Sequence, residues 1–250
     1  ADIRIVYSIL DALKIARENP SKKVIFLGIG FEATASSSAA GVFNAKKEKL
    51  ANFFLFSSHK IMPPAMSALI DEGIKINGYI APGHVSAVTG SHIYDKFPEK
   101  YHVGCVISGF EPVDILQSVY MLVKQFNEEH YRVEIQYKRV VNHEGNLKAR
   151  EYIEQVFTLR DDWWRGLGVL KNSGLGLSKA YAEYDAEKMI VVEVENTLEE
   201  KGCVCGEILK GLKKPYECKL FAKACTPSNP VGSCMVSHEG ACAAYYNFGR

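Results

Sequence analysis

Six cysteines crowd the last fifty residues of the chain, Cys203, Cys205, Cys218, Cys225, Cys234 and Cys242, against a single one elsewhere, Cys105. Thiolates at that density repel one another unless a cation binds them. In a reducing compartment such crowding favours metal binding or redox chemistry over structural disulfides. Four cysteine sulfurs suit either tetrahedral zinc or a [4Fe-4S] cube. Zinc ligands usually enter as C-x2-4-C pairs on tight knuckles, and the tail has no such pair. The spacing therefore leans toward iron and sulfide, with zinc as the second choice.

Other chemistry-bearing residues stand at the ends of apolar runs. Gly28-Ile29-Gly30-Phe31-Glu32-Ala33 follows one such run and opens a helical pattern, the G-x-G-x-x-A form of a dinucleotide fingerprint. Glu32 would put a carboxylate where a pyrophosphate should sit, and the next run ends in Phe56-Ser57-Ser58 with no acid to hold a ribose. A turn aiming Glu32 into a cleft is the better reading. Pro82-Gly83-His84-Val85-Ser86 has the same placement, so His84 is a candidate base, ligand or partner contact, or simply a histidine solvated at a helix start. Ser57-Ser58-His59 shares that ambiguity. No G-x-S-x-G elbow occurs, and Cys105, flanked by Gly104 and Val106, reads as a buried strand thiol, so a hydrolase is poorly supported.

The elements that must position these residues alternate. An opening helix capped by Asp2 carries Val6, Ile9, Leu10, Leu13 and Ala16 at helical spacing and stops at Asn19-Pro20. Strand-like runs follow at 23–27, 52–56, 77–80 and 103–107, with helical patterns between them at 33–49, 63–71, 84–94 and 113–127. Such alternation predicts an α/β fold with parallel sheets. The string Gly30-Phe31-Glu32 is echoed by Gly109-Phe110-Glu111 after a second strand, which makes Glu111 the counterpart of Glu32 and suggests either a shared turn or a duplicated α/β unit. The pattern goes on through a strand at 133–137 and a helix at 147–157, then becomes ambiguous.

After Lys201 the composition turns to cysteine, glycine, proline and lysine, which sets a boundary near residue 198. The division expected is 1–95 and 96–198, two parallel-sheet α/β units around a cleft, plus a small cysteine-rich iron-sulfur domain at 199–250. A segment so poor in apolar runs needs docking or metal for stability. Thirty basic against twenty-nine acidic residues leave a formal charge of +1, so no global field draws the chain to nucleic acid or an anionic membrane. No apolar stretch approaches the roughly 20 residues of a membrane span, and Asp2, Arg4, Asp11 and Lys14 interrupt any signal-like core at the start. A cytoplasmic protein is expected, and the absence of an initial methionine suggests that something precedes Ala1.

The tail resembles the HypD family of [NiFe]-hydrogenase maturation proteins. The strings that carry the likeness are Cys203-x-Cys205-Gly206-Glu207, Cys225-Thr226-Pro227, Pro230-Val231-Gly232 and Cys234-Met235-Val236-Ser237-x-Glu239-Gly240-Ala241-Cys242. It extends back through Trp164-Arg165-Gly166-Leu167-Gly168, Glu144-Gly145-Asn146, Gly109-Phe110-Glu111, Pro82-Gly83-His84 and Gly30-Phe31-Glu32. The family's cluster motif, C-x14-C-x6-C-x16-C, falls on Cys203, Cys218, Cys225 and Cys242, which the resemblance implies as ligands of a [4Fe-4S] cluster; Cys205 and Cys234 then lie outside the ligand set. It further implies a redox-active assembly scaffold, expected to be a monomer outside its maturation complex. With a HypC-type chaperone it would hold an iron while cyanide arrives through HypE and carbon monoxide is added, giving a transient Fe(CN)2CO iron for the hydrogenase large subunit. The cleft candidates Glu32, His84 and Glu111 would face that iron and its chaperone.

One departure bears on this. The family carries upstream a Cys-Gly-Thr-His-Thr-His and a Gly-Pro-Gly-Cys-Pro-Val-Cys motif, and neither occurs here, so the chain is expected to hold a cluster without the iron-assembly thiols. The family's usual pair of threonines after Glu32 is Ala33-Thr34 here. The other class of reading is an independent α/β enzyme with a structural zinc or iron-sulfur site, whose cleft uses His84 and Glu32.

Overall fold

The computed structural model describes residues 2–74, 76–191 and 200–249. The boundary expected near residue 198 lies outside the described residues. In chain order the elements are α1 (Ile9–Glu18), β1 (Val24–Gly30), α2 (Glu32–Lys47), β2 (Phe53–His59), α3 (Met62–Asp71), β3 (Gly78–Pro82), α4 (Gly83–Thr89), α5 (Lys96–Tyr101), β4 (Gly104–Ser108), α6 (Pro112–Asn127), β5 (Val133–Ile135), α7 (Leu147–Val156), β6 (Phe157–Trp164), β7 (Gly168–Leu177), α8 (Ala186–Met189), α9 (Cys205–Leu209), α10 (Ser233–Val236) and α11 (Ala241–Phe248). The fold is mixed α/β with parallel sheets, as the alternation predicts. β1 pairs with β2, β3 with β4, and β4 with β5, every pair parallel; β6 and β7 form a separate two-stranded sheet.

The opening helix starts later than expected. Asp2 binds Arg4 at 2.8 Å, and the carboxylate that satisfies the first-turn donors is Asp11, which accepts the N–H groups of Ser8 at 3.1 Å and Tyr7 at 3.2 Å. α1 therefore runs from Ile9. The helix expected at 84–94 also ends early, because Gly90 takes φ +85° and lies so close to the His143 carbonyl that a Cβ there would stand 2.1 Å from the oxygen.

Chain contacts divide the molecule into two compact units. The first, Ala1–Pro64, Asn77–Asp162 and Lys171–Val192, contains both parallel sheets. Its main core joins Leu13 of α1, Ala39 and Val42 of α2, Phe53 and Leu55 of β2, and Leu175, Leu177 and Tyr184 farther along. The second unit comprises Ala65–Ile76, Trp163–Leu170 and Glu193–Arg250, and its core is built from the cysteine tail with Ile208, Met235 and Ala243.

The two Gly-Phe-Glu strings lie in matched units. Each follows a parallel strand and opens a helix of 16 residues, α2 or α6. Each helix closes on a glutamate with φ −85° and ψ −5°, Glu48 or Glu128, followed by a residue of positive φ, Lys49 at +57° or Glu129 at +48°. The next strands, β2 and β5, begin at Phe53 and Val133, four residues beyond those positions in both cases. The matching extends well past a shared turn.

Candidate functional site

The tail folds mainly by turns. Cys203, Cys218 and Cys225 stand on loops, whereas Cys205, Cys234 and Cys242 stand on the short helices α9, α10 and α11. Backbone turns such as Cys218 N–H to the Pro215 carbonyl at 3.1 Å and Cys225 N–H to the Leu220 carbonyl at 2.9 Å draw the loop cysteines inward. Close backbone approach does the rest: a Cβ on Gly232 would lie 2.6 Å from Cys203 Sγ, and one on Gly240 would lie 2.4 Å from the Cys234 carbonyl oxygen. Cys205, Cys218, Cys225, Cys234 and Cys242 are buried together, and Cys203 packs half-buried against them.

Within this group Cys205 Sγ is 2.9 Å from Cys234 Sγ and 3.0 Å from Ser233 Oγ, and Cys234 Sγ is 3.0 Å from Cys242 Sγ. All are free thiols. The close contact with the Cys234 thiol, aided by Ser233 and the Cys234 N–H, lowers Cys205, and the same contact pushes Cys234 well up. Burial raises Cys203 and Cys242. Backbone donors also meet sulfur: Val231 N–H reaches Cys225 Sγ at 3.4 Å, and Cys234 N–H reaches Cys205 Sγ at 3.2 Å.

Among the described residues no three His, Cys, Asp or Glu side chains close around a single ion. A four-iron cube makes a different demand, one sulfur at each of its irons. The donor set here is soft sulfur without histidine or carboxylate, which suits iron and sulfide. Cys205, Cys218 and Cys225 all act electrostatically on both Cys203 and Cys242, so five of the tail's sulfurs share one region. Cys205 and Cys234 contact each other, and Cys234 also contacts Cys242. The residues present thus fit a cluster of this type.

The α/β candidates occupy the carboxyl ends of parallel strands in the first unit. Glu32, the first residue of α2, turns inward: one carboxylate oxygen accepts Met62 N–H at 3.0 Å, and the buried Oε2 has no partner. Burial pushes its carboxyl up to about 7. His84 is exposed, and its ring stacks on Phe110 at 4.2 Å, beside Glu111. The structure thus brings His84 to the Phe110-Glu111 loop, while Glu32 joins the interior near Tyr94, whose hydroxyl meets Ser86 Oγ at 3.2 Å. Cys105 is fully buried in β4, and burial pushes its thiol up to about 12.

Several contributors have no local signal in sequence. Arg139 grips Asp114 with two bonds, 3.2 and 2.7 Å, across 25 residues, and with Gln136 it holds that carboxyl down at about 2. Its guanidinium also lies 5.0 Å over Tyr137, which meets Phe110 edge-on. His59 is buried between Ser38 at 3.1 Å and Ser57 at 3.2 Å, and burial lowers it to about 4, a neutral core histidine. No helix among the described residues is long and apolar enough to cross a membrane.

Comparison with known proteins agrees with the family resemblance. The family described as "Hydrogenase formation hypA family", HypD, matches residues 1–249. Hydrogenase maturation factor HypD2 of Bradyrhizobium diazoefficiens is 46% identical over 258 residues, covering all of this chain and 68% of the relative. Hydrogenase maturation factor HypD of Azotobacter vinelandii and hydrogenase expression/formation protein HupD of Azotobacter chroococcum are each 46% identical over 257 residues, with the same coverage. A match of that extent, on a chain whose tail gathers its cysteines as described, shows that this protein belongs to the HypD family of hydrogenase maturation factors.

Proposed function

We propose that the chain is a cluster-bearing, redox-active component of the scaffold that assembles the Fe(CN)2CO group of [NiFe]-hydrogenases, working in the cytoplasm with a HypC-type chaperone and HypE and serving the hydrogenase large subunit. The iron-assembly thiols of the family lie outside these residues. It acts as a redox-active platform, not as an enzyme on a free small molecule. Cys203, Cys218, Cys225 and Cys242 would hold one [4Fe-4S] cluster, and Cys205 and Cys234 would lie outside the ligand set. When bound, such a cluster supplies single electrons. The chain's own residues provide the rest: Ile208, Met235 and Ala243 exclude water from the sulfurs, and the Val231 amide donates to Cys225. His84, Phe110 and Glu111, grouped at the strand ends, are the surface offered to the cargo iron and its chaperone.

The observation that supports this reading most is the burial of the cysteine tail in one sulfur-rich cluster within a HypD-family chain. A pull-down with a tagged HypC-type chaperone under anaerobic conditions tests the partner assignment. The folded chain should be retained, and His84→Ala with Phe110→Ala should weaken retention at least several-fold. Failure of the folded parent chain to bind would contradict the scaffold role.

A further inference from the structure

Arg165 lies in the link between β6 and β7, and its Nη2 donates to the Val231 carbonyl at 2.8 Å. The amide of that same residue points at Cys225 Sγ. Arg165 therefore anchors the loop that brings a backbone donor to one sulfur and places Gly232 against Cys203. Backbone contact makes this possible, because a Cβ on Gly206 would lie 3.0 Å from the Gly166 carbonyl oxygen. Arg165 and Glu200 line a cavity of about 30 Å³ together with Cys203, Cys205, Val231 and Gly232.

At roughly 10–15 Å³ for each water, the cavity admits about two waters and no organic electron carrier. What it brings to the sulfurs is charge. An electron added to a thiolate-bound cluster increases negative charge, which a nearby guanidinium stabilises and a nearby carboxylate opposes.

We infer that Arg165 is a positioning residue that raises the reduction potential of the tail's cluster, with Glu200 as the opposing charge. This rests on the reading that Cys203, Cys218, Cys225 and Cys242 hold a [4Fe-4S] cluster. Arg165 acts both through its charge and through its bond to the Val231 loop. Because its side chain is exposed, the charge effect weakens as salt rises.

Redox titration of the anaerobically reconstituted full chain, followed by visible absorbance and by electron paramagnetic resonance, tests this alongside iron and sulfide assays. Arg165→Gln should move the midpoint to a more negative potential at unchanged iron and sulfide content. Arg165→Lys, which keeps the charge and lacks the planar fork, should restore most of the shift. Glu200→Gln should move the midpoint the opposite way. An Arg165→Gln protein with full cluster content and an unmoved midpoint would overturn the inference. Should that variant lose its cluster, Glu200→Gln decides: a more positive midpoint supports the inference, and an unmoved or more negative one overturns it. A parent chain with no acid-labile sulfide would overturn the cluster reading itself, and this inference with it.

Discussion

A carboxyl buried with one oxygen unpartnered is hard to ionise, and Glu32 is such a group. Its folded pKa of about 7 stands above the ordinary 4.5, so the folded state retains a proton that the unfolded chain has lost. Stability contributed at this position is therefore intact below about pH 4.5 and declines as pH rises toward 7. The loss approaches about 3 kcal/mol above that. Glu32→Gln should flatten this dependence and make the protein more stable at pH 8, measured by denaturant unfolding across pH; an unchanged slope between pH 5 and 7 would contradict the buried, proton-holding state. The cysteines make a second residue-scale prediction. Serine at Cys203 should abolish cluster binding, while serine at Cys205 or Cys234 should spare it; equal loss of iron in all three would contradict the ligand set proposed. The density of cysteine was legible in sequence, whereas the contact between Cys205 and Cys234 was not, since 29 residues separate them and only the turns of the tail bring them together.

Helices α2 and α6 end alike, each with an ordinary L-residue in the left-handed region, Lys49 or Glu129. That conformation costs such residues about 1–2 kcal/mol, part of which glycine recovers. Lys49→Gly and Glu129→Gly should each raise stability by about 0.5–1 kcal/mol in urea unfolding, because the two units share one helix-ending device. Destabilisation by either would show that the side chains contribute more than the strain removes. Strands and helices with clear periodicity could be read from sequence to within a few residues. α1 could not be started correctly, because Asp2, the cap expected, is held by Arg4, and the helix begins instead after Ser8, whose N–H the Asp11 carboxylate accepts. The apolar run of β1 likewise did not reveal which face is covered: Gly28 is buried, while Ile25, Leu27 and Ile29 are exposed. A period-2 run fixes two faces without naming their neighbours. The segment 157–177 stayed ambiguous because Arg160 and Asp162 carry charge into β6, and both are held there by partners distant in sequence, Glu187 and Lys60.

At the scale of the molecule, the first unit has an ordinary apolar core, while in the second the buried cysteines outnumber Ile208, Met235 and Ala243. So little apolar area makes a poor core unless the sulfurs are also bonded to metal. The composition change after Lys201 announced this, but the contribution of Ala65–Ile76 and Trp163–Leu170 to the same unit had no compositional sign. Lys210 pairs with Glu72, and Arg165 with the Val231 carbonyl, contacts that no local pattern encodes. Central to the whole account is the nature of the group these cysteines hold. Assay of iron, acid-labile sulfide and zinc on the anaerobically purified and reconstituted chain tests it most directly. Roughly four irons and matching sulfide per chain, with a broad iron-sulfide absorbance, are expected for a four-cysteine cluster; stoichiometric zinc with no labile sulfide would contradict it.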